Sequence, residues 1–128
     1  MTEESLILTS SIINEMSLVE FFNKLSSFEW ENLTIDIYAM PRKDLKKPPH
    51  LHIEKFPDSI NNAIKSFETP IESIVISGSI NKCRIKMTGL VEKNQVRWLE
   101  ANFKAEKKSI VEKLLKEFTD FLKKKIDI

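Results

Sequence analysis

The chain reads as a single α+β domain, residues 1–128. It should hold a mostly antiparallel sheet of about five strands with helices packed on one face and a long amphipathic helix at the C-terminus. Three observations predict this. Apolar and polar residues alternate over 33–40 and over the segments between 82 and 103, the period-2 pattern of half-buried strands. Apolar residues recur at helical spacing near 17–28 and most strongly over 105–125. Three consecutive strand-like segments joined by short turns then make a meander rather than crossover units.

The elements follow in order. Leu6, Ile7, Leu8 and Thr9 have the composition of a strand, but residues 5–13 show no clean period and stay unassigned. Ser17 with Glu20 three residues on forms a capping box, and Leu18, Phe21, Phe22 and Leu25 make one apolar stripe, so a helix is predicted near 17–28. Leu33, Ile35, Ile37 and Ala39 alternate with Thr34, Asp36 and Tyr38, and Pro41 stops that strand. Residues 42–47 read as an exposed basic loop with a stiff exit at Pro48 and Pro49. A strand resumes at 50–55, with Leu51 and Ile53 facing inward. After Pro57, Asp58 or Ser59 caps a short helix through Ile60, Ala63, Ile64 and Phe67, and Pro70 closes it.

Residues 74–76, 82–91 and 96–103 are the meander strands. A three-residue loop of Lys93, Asn94 and Gln95 sets Ile85, Met87 and Gly89 opposite Phe103, Ala101 and Leu99, which makes one face wholly apolar. The same register pairs Thr88 with Glu100 and Leu90 with Trp98 on the other face. In the last helix Ile110, Val111, Leu114, Leu115, Phe118, Phe121 and Leu122 cover an arc of roughly 140°.

Composition narrows the function classes. Hydrophobic residues make up 41% and charged residues 30%, so a real core is expected and disorder is not. Cys83 is the one cysteine, which excludes an internal disulfide and a thiol-based zinc site; it alternates with Lys82 and Arg84 as a core-facing residue would. With no basic, apolar leader at the start and no run of about 18 apolar residues, a cytoplasmic protein without membrane contact is expected. The net charge of +1 gives no global pull to nucleic acid. Its layout is uneven, since seven acids against Lys24 leave the first 40 residues at −6 and the remainder at +7.

Three patterns carry candidate chemistry. His50, His52 and Glu54 alternate along one strand and so share a face, a plausible imidazole and carboxylate set for zinc or iron; a solvated polar strand face explains the same spacing. Arg42, Lys43, Lys46 and Lys47 with Lys82, Arg84 and Lys86, joined by Lys104, form the surface best suited to phosphates. Aromatic residues for base stacking do not interleave with them in sequence. Leu90 and Trp98 pair on the predicted wet face, where tryptophan suits a protein-binding hot spot unless another element covers it. No glycine-rich phosphate loop is present, and Gly78 and Gly89 stand alone.

The order of elements resembles the small secretion-chaperone fold and, more loosely, helix-grip and pleckstrin-like domains, a likeness of layout that implies no function. Residues 48–53 resemble the Pro-His-x-His strand of a family of small bacterial proteins encoded beside toxin–antitoxin-like partners, over six of 128 positions. By elimination, the expected function is that of a non-enzymatic binding module acting on a protein partner, such as an inhibitor, chaperone or immunity-type accessory protein, or on a second copy of itself. No cofactor is implied. A nucleic-acid-binding accessory domain stands second, and a metal-dependent enzyme using His50, His52 and Glu54 third.

Overall fold

The computed structural model describes residues 4–41, 50–56, 59–67 and 69–123. The basic loop with Arg42, Lys43, Lys46 and Lys47 lies outside them. The described chain runs β1 (Glu4–Ser17), α1 (Leu18–Leu25), β2 (Asn32–Ala39), β3 (His50–Ile53), α2 (Ile60–Lys65), β4 (Ile71–Ile80), β5 (Cys83–Glu92), β6 (Gln95–Ala105) and α3 (Lys108–Lys123). The strands form one antiparallel sheet in the order β1-β6-β5-β4-β2-β3.

Among the described residues the sheet therefore has six strands, not about five. The added strand is β1, whose 14 residues pair with β6, so that the first strand and the last lie side by side. Its partner is about 90 residues away in the chain, so the pairing stabilises a segment whose own pattern is ambiguous.

Local signals account for most boundaries. Ser17 Oγ accepts the Glu20 N–H at 3.1 Å, the N-cap half of the expected capping box. The α1 helix ends at Leu25 rather than 28, because Ser26 and Ser27 turn their hydroxyls back onto the carbonyls of Asn23 and Lys24. Ser59 caps α2 by accepting the Asn62 N–H at 3.3 Å. The β4 strand extends to Ile80, well past the expected 74–76. Ser77, Gly78 and Ser79 lack strand-like side chains, but they are held between β2 and β5 on both sides.

The β5–β6 hairpin has the register expected from its apolar face: Ile85 opposite Phe103, Met87 opposite Ala101, Gly89 opposite Leu99 and Leu90 opposite Trp98. Its loop differs. Glu92 pairs with Gln95, so the turn is only Lys93 and Asn94, both at positive φ (53° and 61°) as a type I′ turn requires. A bulge between Leu90 and Val91 on one side and Val96 and Trp98 on the other leaves Arg97 as the extra residue, which restores the apolar register beyond it. The β4–β5 turn uses the same geometry at Asn81 (φ 50°) and Lys82 (φ 64°), and Glu31 Oε1 accepts the Lys82 N–H at 2.7 Å.

The inner face of the sheet carries Ile35, Ile37, Ile74, Ile76, Cys83, Ile85, Met87, Leu99, Ala101 and Phe103, all buried. They share one cluster with Leu18, Phe21, Phe22 and Leu25 of α1 and with Val111, Leu114 and Phe118 of α3, while Ala63 and Ile64 of α2 pack against its margin. Phe118 is the joint of α3: its ring stacks on Phe28 at 4.6 Å between centroids and meets Phe103 at 5.3 Å. Cys83 is fully buried, and desolvation pushes its thiol above the ordinary 9.0, the reverse of a reactive cysteine. Among the described residues no helix is long and apolar enough to cross a membrane.

Candidate functional site

With one face committed to the core, the chemistry falls on the other. Side chains alternate across a strand, so register alone sorts the outer face into cross-strand rows. One row runs His50, Tyr38, Ser73, Leu90, Trp98; the next His52, Asp36, Val75, Thr88, Glu100; then Thr34, Ser77, Lys86, Asn102, Ile7; and last Asn32, Ser79, Arg84, Lys104, Ser5.

The face is thus polarised. Its first row holds most of its aromatic and apolar surface, with Leu90 48% and Tyr38 37% exposed on either side of Ser73 and Trp98 half-buried beside Leu90. Its last two rows hold the exposed cations Arg84, Lys86 and Lys104, about 13–20 Å away along the strands. Between β2 and β5, β4 presents Ser73, Val75, Ser77 and Ser79 to this face. At the basic end lies an open cleft of about 630 Å³ bordered by Asn32, Thr34, Glu54, Ser79 and Arg84. A smaller hollow of about 170 Å³ lies among Arg84, Lys86, Asn102 and Lys104.

Trp98 is neither fully exposed nor part of the core cluster: it pairs with Leu90 on one side and with Ser11 of β1 on the other. The β1 strand flanks it in the sheet. Of the seven basic residues singled out from sequence, Arg84 and Lys86 share this face, Lys82 sits in the turn beside it, and the other four lie outside the described residues.

His50 and His52 do share a face, but the carboxylate that meets them is Asp36 of the neighbouring strand. His50 Nε2 lies 2.8 Å and His52 Nδ1 2.7 Å from the same oxygen, Asp36 Oδ1. An ionised carboxylate only accepts, so both contacting nitrogens carry protons, and Nδ1 of His50 and Nε2 of His52 are the acceptors when the rings are neutral. The hydrogen bond from His52, helped by His50 and opposed by partial burial, holds the Asp36 carboxyl below its ordinary 3.8. Tyr38 completes the group, its ring stacked on His50 at 4.5 Å and 7° between planes.

This geometry does not favour the metal reading. The two nitrogens nearest the carboxylate spend their protons on one oxygen, and Glu54 turns toward the cleft with Arg84 instead. Among the described residues no group of three or more His, Cys, Asp or Glu side chains is placed to hold a metal ion. Asp36 and Tyr38 were missed in sequence because their contribution depends on the β2–β3 register, which pairs Asp36 with His52 and Tyr38 with His50. The cue was present: both sit at polar positions of an alternating strand followed by a second strand.

Comparison with known proteins finds no matching family model, no similar curated protein and no similar solved structure.

Proposed function

We propose that the protein is a non-enzymatic binding module that holds a protein partner on the outer face of its sheet, with Leu90 and Trp98 as the apolar anchor and Tyr38 further along the same row. The observation that carries this reading is the cross-strand row itself. Leu90, 48% exposed, and Trp98 stand side by side on a face whose other rows are mostly polar, and such a pair is unfavourable to hydration unless a partner buries it. Arg84, Lys86 and Lys104 at the far end suit a partner with acidic residues about 13–20 Å from its apolar contact.

The test is a photo-crosslinking residue placed at Leu90 and, as a control, at the exposed Glu112 of α3. A protein captured from Leu90 and not from Glu112, and released by Trp98→Ser at unchanged fold, supports the reading. Equal capture from both positions, or none from Leu90, defeats it. Because Trp98 is only half-buried, Trp98→Ser should cost less than the about 3–5 kcal/mol of removing a core aromatic.

A second reading, binding of single-stranded nucleic acid, draws on the same face. Tyr38, His50 and Trp98 supply aromatic surfaces on the side that carries Arg84, Lys86 and Lys104, the combination that looked absent along the chain. Filter retention of an oligonucleotide that falls steeply with salt would favour it, and no retention at low salt would dismiss it.

A further inference from the structure

The two edges of the sheet are built differently. The β3 edge is guarded: it is four residues long, follows Pro48 and Pro49, and exposes His50 and His52. Short strands, prolines and polar outward side chains are the ordinary devices that stop an edge from pairing with another chain. The β1 edge lacks two of them, being neither short nor interrupted by proline, and its polar positions are small and uncharged (Ser5, Thr9, Ser11). It is 14 residues long, and residues 5–14 contain no charge, no proline and no glycine. It ends the sheet order, so no strand lies beyond it among the described residues. On it Ile7 is 60% exposed, the most exposed large hydrophobic side chain described.

We propose that β1 is the interface to a second copy of this chain, the two strands pairing antiparallel across a two-fold axis at Ile7 to make one continuous sheet. The sequence of the strand argues for a copy of itself as the occupant. A two-fold axis normal to the sheet keeps each face on its own side, so opposed residues must share parity. With Ile7 opposite its mate, Leu6 stands opposite Leu8, Ser5 opposite Thr9 and Glu4 opposite Ser10. Every opposed pair is then apolar with apolar or polar with polar, and no like charges meet. The exposed Ile7 is covered by the one residue certain to match it. The strand's backbone groups on that side gain partners as well.

The inference does not depend on the outer-face reading, because β1 and the Leu90–Trp98 pair are altered by different substitutions. Sedimentation equilibrium of the full chain across the micromolar range should show a dimer, and Ile7→Lys, which sets two ammonium groups side by side on the axis, should be monomeric with an unchanged circular dichroism spectrum. Register is read by cysteine. Opposed residues of an antiparallel pair have Cα atoms about 4.5–5.5 Å apart, within disulfide reach, so Ile7→Cys should oxidise to a covalent dimer. Ser5→Cys should not, since four residue steps put it about 13 Å from its mate. Cys83 is buried and does not compete. A wild-type monomer throughout, a dimer that survives Ile7→Lys, or crosslinking at Ser5→Cys as readily as at Ile7→Cys would each overturn the proposal. If Ile7→Lys fails to fold, the cysteine pair decides alone.

Discussion

Gly78→Ala should destabilise the domain although it adds a single methyl group. Gly78 lies on β4 between Leu33 and Ile85, where the indole of Trp30 lies against its backbone. A Cβ there would overlap the backbone oxygen of Asn32 and stand 2.8 Å from Cε3 of Trp30. The carbonyl cannot retreat without breaking the β2–β4 ladder, so the indole or the strand must shift. Overpacking of this kind costs about 1–3 kcal/mol. Displacing Trp30 also threatens its Nε1 hydrogen bond to the Leu25 carbonyl, 2.9 Å long, worth about 1 kcal/mol. Alanine's better backbone entropy returns about 0.5–1 kcal/mol. The net loss is about 1–3 kcal/mol, a fall in melting temperature of roughly 4–12 °C for a chain of this size.

Gly89→Ala is the matched control. Its Cβ would meet only side-chain carbons, Ile74 Cγ1 at 3.1 Å and Cδ1 at 3.4 Å and Leu99 Cδ1 at 3.7 Å, so a shift of a few tenths of an ångström in the Ile74 side chain makes room and the cost is smaller than at Gly78. Thermal unfolding followed by circular dichroism ranks the two. Tryptophan emission in a Trp98→Phe background, where Trp30 is the one remaining tryptophan, reports directly whether the indole is unseated. A Gly78→Ala variant that melts with the wild type at unchanged emission, or a Gly89→Ala variant that melts lower, would refute the argument.

Two further outcomes are expected. Lys82→Gly should raise stability by about 0.5–1 kcal/mol, measured by urea unfolding, because Lys82 sits at φ 64° in a type I′ turn while its N–H bond to Glu31 needs no side chain. Asp36→Asn should lower stability at neutral pH and lose that effect in acid. The folded-state value of Asp36 lies below 3.8, so the unfolded chain binds more protons between the two values, and the stabilisation is complete above about pH 5 and lost as pH falls through the folded value. Denaturant midpoints of wild type and variant that stay equally far apart down to pH 2 would contradict this.

Much of the fold was legible along the chain. The α1 cap at Ser17, the β2 alternation, the register of the β5–β6 hairpin and the stripe of α3 through Phe118 each rest on side chains a few residues apart or on one short loop, where local pattern and local energy agree. The hairpin also shows the limit of that reasoning. Its apolar face determined the pairing correctly, but two routes reach that pairing, a three-residue loop or a two-residue loop with a bulge at Arg97, and hydrophobic pattern does not distinguish them.

The candidate sites divide along the same line. Composition and alternation alone indicated a mixed α and β chain with an antiparallel sheet, a buried Cys83, and a polar strand face carrying His50 and His52. Only the tertiary structure joined those histidines to Asp36, drew Tyr38, Leu90 and Trp98 into one row, and turned residues 4–17 into an edge strand beside β6. The physical reason is that a helix stripe or a hairpin register is a property of neighbours in sequence, whereas a sheet face is assembled from strands whose order is decided by burying the opposite face. Residues on the open side inherit their neighbours from that choice and leave no periodic trace of it in the chain.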